Sequence, residues 1–169
     1  CTESASWPLL NIKQMFVRLG THKSSIYGVV DLTSGYHQAP LSLAARLFTA
    51  FITFCGVYHY LRLPFGPKRA PSYFQEMMAA VVLMGLVYFI CEIYLDDCIV
   101  HAANNETFIE RLDTVFQRFA KHKLFLKPAK CQFGLSSVEF CGRVIYKRRD
   151  LNECKENQSS TRFPCPCLS

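Results

Sequence analysis

"IYLDDCIV", residues 93 to 100, sets two adjacent acids inside an apolar run. Ile93, Tyr94 and Leu95 precede Asp96 and Asp97, and Cys98, Ile99 and Val100 follow. A carboxylate in such surroundings is costly unless it is paired or holds a cation. Two side by side cost more, because each raises the pKa of the other. Residues 87 to 100 read as two apolar strands of a β-hairpin with the acids near its tip. Taken by itself, an Asp-Asp pair at a hairpin tip is most often a solvated turn.

A third acid gives the pair a second reading. "IYGVVD", Ile26 to Asp31, is rich in β-branched and aromatic residues and reads as a strand ending on Asp31, with "TSGY" turning the chain after it. If this strand pairs with the hairpin, three carboxylates meet at one sheet edge. Such a cluster is unfavourable as bare charge and favourable around divalent cations. Mg²⁺ prefers oxygen and typically takes one or two carboxylates together with substrate phosphates. Two such ions about 4 Å apart activate a 3′-hydroxyl and stabilise a pyrophosphate leaving group. Asp31 alone is equally a turn acid, and periodicity does not decide whether the three acids meet.

The rest of the chain alternates helices with local strand pairs. Leu9, Ile12, Met15, Phe16 and Leu19 have helical spacing, and Gly20 is the expected stop. Residues 47 to 63 read as two strands around a turn at Cys55-Gly56, followed by the Pro/Gly-rich loop "PFGPKRAP" (64 to 71). A helix follows Pro71, with Ser72 as its expected cap. Thr107 to His122 is a helix whose stripe is Phe108, Ile109, Leu112, Val115, Phe116 and Phe119. "KCQFGLSSVEFCGRVI" (130 to 145) reads as a hairpin turning near Ser136-Ser137, and the last twenty residues are expected to be poorly ordered. This order favours an α+β domain, an antiparallel sheet with helices packed on one face.

Bulk properties narrow the function. A chain of 169 residues, half of them hydrophobic, has enough material for one folded domain. The net charge of +6 and a pI near 8.9 point mildly to an acidic partner such as nucleic acid. Ten basic residues lie between Arg111 and Arg149, although a basic run alone is more often a solvated face. The nine cysteines form no CxxC pair and no zinc-site spacing with histidine, and most lie in apolar runs, so a reduced, intracellular setting (cytoplasmic or nuclear) is expected. No signal peptide opens the chain. Met77 to Cys91 is uncharged over about 15 residues, short of the roughly 20 of a spanning helix, so no membrane partner is expected.

"YLDD" at 94 to 97 resembles the YxDD box of reverse transcriptases. "VVDLTSGYHQAPL" (29 to 41) resembles the first catalytic block, D-L-x-S-G-Y-H-Q. "FTAFITFCGVYHYLRLPFGPKRAPSYFQ" (48 to 75) resembles the T-A-F…G-x-Y…P-F-G-x-x-x-A-P-x-x-F-Q block, and "LFLKPAKCQFGLSSVEFCGRVI" (124 to 145) the block ending in a primer-gripping hairpin. Order and spacing resemble the polymerase of gypsy-type LTR retrotransposons, over roughly residues 8 to 145. The resemblance implies a polymerase palm with partial fingers, an RNA-directed DNA polymerase (nucleotidyltransferase) that adds deoxynucleotides to a primer on an RNA or DNA template. It implies Asp31, Asp96 and Asp97 as catalytic and metal-binding residues for two Mg²⁺ ions, Asp31 and Asp96 as the main ligands and Asp97 in support, with Mn²⁺ able to substitute. Tyr36 matches the aromatic gate beneath the incoming sugar, with a plain core tyrosine as the alternative. Phe65, Gly66, Tyr94 and Leu95 match positions facing the nucleotide or the primer end, although Phe65 could equally be loop packing. Phe140, Cys141, Gly142 and Arg143 match the primer-holding hairpin. Lys68 and Arg69 either touch nucleic acid or triphosphate or are solvated. Gln75 receives no catalytic role.

The resemblance implies a division into a palm start with a fingers remnant (1–38), partial fingers (39–70), palm (71–149) and a thumb start or degraded tail (150–169). Departures from the family pattern are also expected to matter. Only "CTESASWP" precedes the first helix, where the family carries basic residues that grip the triphosphate, and "YKRRDL" replaces a Gly-Leu turn after the last block. The chain is therefore expected to be a truncated or decayed fragment with weak or absent activity. The alternative is a catalytically inactive nucleic-acid-binding remnant of a retroelement. No oligomeric state is assigned.

Overall fold

The computed structural model describes residues 11–146. A central antiparallel sheet has the order β4-β5-β1-β6, built from Cys91–Tyr94 (β4), Asp97–Ala102 (β5), Ile26–Asp31 (β1) and Gln132–Leu135 (β6). The α+β class and the antiparallel sheet are those expected. Side chains alternate across it. Val30, Cys91, Ile93, Cys98, Val100 and Ala102 face one side, where they meet Phe74 and Met78 of the chain following residue 70 and Phe108, Val115 and Phe119 of α5 (Asn105–Lys121). Tyr27 and Ile99 face the other side and meet Met15 and Leu19 of α1 (Ile12–Thr21) together with Val138 and Phe140. Two helical segments thus share one face, and α1 adds cover on the opposite one.

Gly28 lets α5 lie this close. A Cβ there would come within 2.8 Å of Phe108 Cζ and 3.1 Å of Phe133 Cδ1. The stripe of α5 is as expected except at Ile109, which is exposed. Its cap is Asn104, whose side chain accepts from the Thr107 amide.

Several expected boundaries are corrected. Helix α1 runs through Gly20 to Thr21, since a glycine ends a helix only where a left-handed cap forms; Leu9 lies outside the described residues. "TSGY" contains a short helix, α2 (Gly35–Gln38), entered through Ser34 at φ +48°. A further helix, α3 (Leu43–Leu47), precedes the hairpin of β2 (Phe51–Thr53) and β3 (Gly56–Tyr58), which turns at Phe54-Cys55 rather than Cys55-Gly56. Helix α4 (Ala70–Glu76) begins before Ser72, with Arg69 at its cap position, and continues as a π-helical segment, Met77–Val82. Residues 88–90 are turn rather than strand, and Val87 makes only an isolated bridge to Cys91. Most consequentially, Ser136-Ser137 is not a hairpin tip. Strand β6 pairs with β1, and β7 (Ser137–Phe140) pairs with β8 (Arg143–Tyr146) around Cys141-Gly142. Period-two patterning cannot tell which neighbour a strand chooses. The expectation of a poorly ordered tail falls outside the described residues.

Two polar contacts cross this framework. Glu92, fully buried on β4, accepts two hydrogen bonds from Arg18 of α1, Nε–Oε1 at 2.7 Å and Nη2–Oε2 at 2.9 Å. The Arg18 guanidinium also lies 4.6 Å from the Tyr88 ring centre. His101 is fully buried on β5, its Nδ1 2.9 Å from Ser24 Oγ, while its Nε2 has no hydrogen-bond partner among the described residues. Burial first, then His22 and Arg111, lowers its pKa from 6.5 to about 4.

Two outcomes are expected. Arg18→Met strands the buried Glu92 carboxylate and should cost about 3–5 kcal/mol in urea unfolding, whereas Arg18→Met with Glu92→Leu should recover most of that loss. His101 stays neutral in the fold, so its contribution is complete above pH 6.5 and is lost as pH falls toward about 4. The loss is at most roughly 3 kcal/mol, and His101→Gln should flatten that part of the stability–pH profile.

Candidate active site

The β1–β5 register sets Asp31 directly opposite Asp97, and β4–β5 sets Tyr94 opposite Asp97. By strand alternation Asp31 and Asp97 share the sheet face of Tyr27, Val29 and Ile99. Asp96 lies in the two-residue turn between β4 and β5. The pairing on which the three-carboxylate reading depended is therefore present. Burial first, then Asp96, then Asp31, raises the Asp97 pKa, with Lys130 opposing. The Lys130 ammonium stands 3.3 Å from Asp31 Oδ2.

The turn itself is constrained. Leu95 has φ +56°, a left-handed conformation that costs a side-chain-bearing residue about 1–2 kcal/mol. Gln75 of α4, fully buried, brackets it. Its Oε1 accepts from the Leu95 amide at 2.7 Å, and its Nε2 donates to the Ile93 carbonyl at 3.2 Å. Gly35 allows close approach from the other side, since a Cβ there would stand 3.2 Å from Asp96 Cβ and 3.1 Å from Phe74 Cζ.

Lys130 reaches the acids because residues 124 to 131 are strapped to the end of β1. The Lys127 amide donates to Asp31 O at 2.9 Å and the Thr33 amide to Phe125 O at 3.0 Å. Gln38 reinforces the strap, accepting from the Phe125 amide at 2.6 Å and donating to Phe125 O at 2.8 Å. A cleft of about 350 Å³ opens on the Asp97 side, bounded by Val29, Lys130, Gln132, Glu139, Cys141 and Gly142.

The remaining sequence-derived residues divide into two groups. Tyr36 is buried, 5.0 Å from Phe74 and 5.0 Å from Phe65 between ring centres, and burial first, then Asp96 and Tyr94, raises its pKa. Its environment is that of a core tyrosine that also feels the acid turn. Phe65 is exposed, yet its ring also meets His37 edge-on at 5.1 Å, and Gly66 follows at φ +111°. Phe140 is buried against α1, Cys141 and Gly142 turn at φ +49° and +71°, and Arg143 lies 5.3 Å from the Phe16 ring. Their turn borders the cleft beside Asp97. Lys68 and Arg69 are exposed in the loop before α4 and do not line that cleft. Within the basic run, Arg111 is turned to the fold, its Nη1 donating to His101 O at 2.6 Å. Sequence reasoning gave Gln75, Lys130 and Gly35 no role at the site, although Gly35, Gln75 and Lys130 stand inside the resembling blocks 29–41, 48–75 and 124–145.

Among the described residues no group of three His, Cys, Asp or Glu side chains forms a ready metal cage. The donor chemistry nonetheless fits a hard divalent cation. Asp31 and Asp97 oppose each other, Asp97 also feels Asp96, and the Lys130 ammonium lies beside Asp31. Such a site suits an ion whose remaining positions are filled by substrate oxygens.

The comparisons with known proteins agree on one family. The profile described as "Reverse transcriptase (RNA-dependent DNA polymerase)" matches residues 8–145. The chain is similar to the Retrovirus-related Pol polyprotein from transposon 412 of Drosophila melanogaster, 32% identical over 160 residues, covering 95% of this chain and 13% of that protein. It is 30% identical over 160 residues to the corresponding polyprotein from transposon gypsy of the same species, covering 95% and 15%. The chain thus spans only a small part of the curated relatives it matches. Its fold is similar to that of native prototype foamy virus protease-reverse transcriptase, with TM-score 0.67 and 22% identity over 75% of this chain and 17% of that one. A foamy viral protease-reverse transcriptase in complex with RNA/DNA hybrid gives TM-score 0.66 and 20% identity over 85% and 20%.

A carboxyl held above its ordinary pKa penalises the fold at high pH. The penalty is absent below about pH 3.8 and complete above the folded-state pKa. Asp97→Asn should therefore melt higher than the unsubstituted chain at neutral pH, with the gap closing as pH falls. A lower melting temperature at neutral pH would show that the carboxylate is net stabilising in the bare chain.

Proposed function

The chain belongs to the reverse transcriptase (RNA-dependent DNA polymerase) family, and from that premise we propose that Asp31, Asp96 and Asp97 form the centre of a primer-extending nucleotidyl transfer. The observation that carries this reading is Asp31 set opposite Asp97 at one end of the β1–β5 pair with Asp96 next to it, Asp97 being raised by burial first and then by Asp96 and Asp31. Asp31, Asp96 and Asp97 would hold two Mg²⁺ ions, or Mn²⁺ in their place. Bound there, the ions supply Lewis-acid stabilisation of the attacking 3′-oxygen and of the leaving pyrophosphate.

The chain's own residues would orient the reactants. The Phe140–Arg143 turn beside the cleft would seat the primer terminus. Tyr94 and Leu95 would face that terminus and the nucleotide. Tyr36, wedged between Phe65 and Phe74, would form the floor beneath the sugar, and Phe65 and Gly66 a wall of the nucleotide pocket. Gly66 leaves its backbone open to close approach. Lys68 and Arg69 would meet template or triphosphate from their exposed loop. In the reaction the 3′-oxygen forms a bond to the α-phosphorus of a deoxynucleoside triphosphate and the bond to pyrophosphate breaks. Positioning of this kind supplies much of such a rate. Support for a duplex partner comes from the foamy viral protease-reverse transcriptase, similar in fold, which is in complex with RNA/DNA hybrid. The remaining lysines and arginines would contact duplex phosphates without regard to sequence. The four proposed divisions would be a palm start with a fingers remnant (1–38), partial fingers (39–70), palm (71–149) and a thumb start or degraded tail (150–169).

The test is primer extension on an RNA template with Mg²⁺ or Mn²⁺, beside Asp96→Asn, once circular dichroism shows that both chains fold. Extension at least about 100-fold weaker in the variant is expected, the scale of losing a transition-state contact of a few kcal/mol. Equal extension by both would overturn the assignment. A folded chain that binds duplex in a salt-dependent way without extending it would favour the inactive nucleic-acid-binding alternative.

A further inference from the structure

Gln75 is a fully buried side chain that holds the acid turn from outside it. It lies at the end of α4, where the helix passes into the π-helical segment, and reaches 18 and 20 residues along the sequence to Ile93 O and Leu95 N. Both bonds end on residues flanking the entry to Asp96. Without them the Leu95 amide and the Ile93 carbonyl would lose their partners at a partly buried site, and the left-handed Leu95 would lose what offsets its strain. Phe74, the preceding residue, stacks on Tyr36 at 5.0 Å and 21°, and its Cζ would stand 3.1 Å from a Cβ at position 35, so the same helix turn fixes the far wall of the site.

We infer that Gln75 is a positioning residue: its amide holds Leu95 in the left-handed conformation and thereby sets Asp96 and Asp97 for cation binding. Helix π-segments recur at functional sites. Here the widened turn begins two residues after Gln75, at Met77, and fits a helix whose side chain must meet a β-turn at a set height. The inference deepens the proposed reading of the three acids as a cation-holding site and rests on it.

Leu95 supplies the control, because glycine adopts φ +56° without strain and needs no clamp. Three chains of the full 169 residues are compared with the unsubstituted one: Gln75→Met, which keeps the volume and removes both hydrogen bonds, Gln75→Met with Leu95→Gly, and Asp96→Asn. Two readouts are taken on each, Mn²⁺ affinity from the free-ion electron paramagnetic resonance signal and hydrogen exchange at the residue 95 amide. The expected result is at least about tenfold faster exchange at Leu95 and about tenfold weaker Mn²⁺ binding in Gln75→Met, with Mn²⁺ binding regained once glycine occupies position 95. Tight Mn²⁺ binding by a folded Gln75→Met chain would overturn the inference, as would a double variant that folds but stays weak. If Gln75→Met does not fold, recovery of fold and binding in the double variant still supports the clamp, and its failure assigns Gln75 to core stability alone. Absent Mn²⁺ binding by the unsubstituted chain, or binding undiminished in Asp96→Asn, would instead sink the cation-site reading. The Leu95 exchange rate then still decides whether the clamp exists: unchanged exchange in Gln75→Met overturns it.

Discussion

The antiparallel register of β1 on β5 is the constraint on which the site depends. It sets Asp31 against Asp97 and Val29 against Ile99, so that one alternation delivers both acids to the cleft face and Val30 and Cys98 to the core face. A slip of one residue would turn every one of these side chains to the wrong side. Burial on both faces prevents the slip. Phe108, Val115 and Phe119 close one side, and Met15, Leu19, Val138 and Phe140 close the other, so no shifted register could bury both sets.

That tight framework holds a locally unfavourable end. Two carboxylates oppose each other, a third sits one residue away, and Leu95 is left-handed between them and β4. Gln75, Gly35 and the strapped Lys130 each stabilise this arrangement from a different element. Strain confined to a rigid support is the pattern expected where geometry serves a ligand rather than the fold. The β2–β3 hairpin is organised differently. Its Ile52, Phe54 and Val57 are largely exposed, as are Phe48 and Leu47 beside it, because a two-stranded sheet has no second layer to bury them.

Much of this was legible in residue order. The strand ending on Asp31, the hairpin carrying Asp96 and Asp97, and the amphipathic stripe of α5 follow from periods of two and 3.6. The last block was misread for a physical reason. "CQFGLSSVEFCGRVI" contains two candidate turns, Ser136-Ser137 and Cys141-Gly142, and local patterning ranks neither. Strand β6 goes to β1 because β1 has a free edge there, and β7 is left to pair with β8. Helix α3 was missed because none of its residues is buried, so it has no apolar stripe to detect.

The sequence by itself determined the family and singled out the three candidate acids, because those are matters of residue type and spacing. Tertiary structure alone decided what surrounds them. Gln75 and Leu95, Lys130 and Asp31, and Gly35 and Asp96 are separated by 20, 99 and 61 positions, and their distances are set by how helices and strands stack. No local period encodes a contact across such separations. It appears only when burial on both faces has fixed the register of the sheet that carries it.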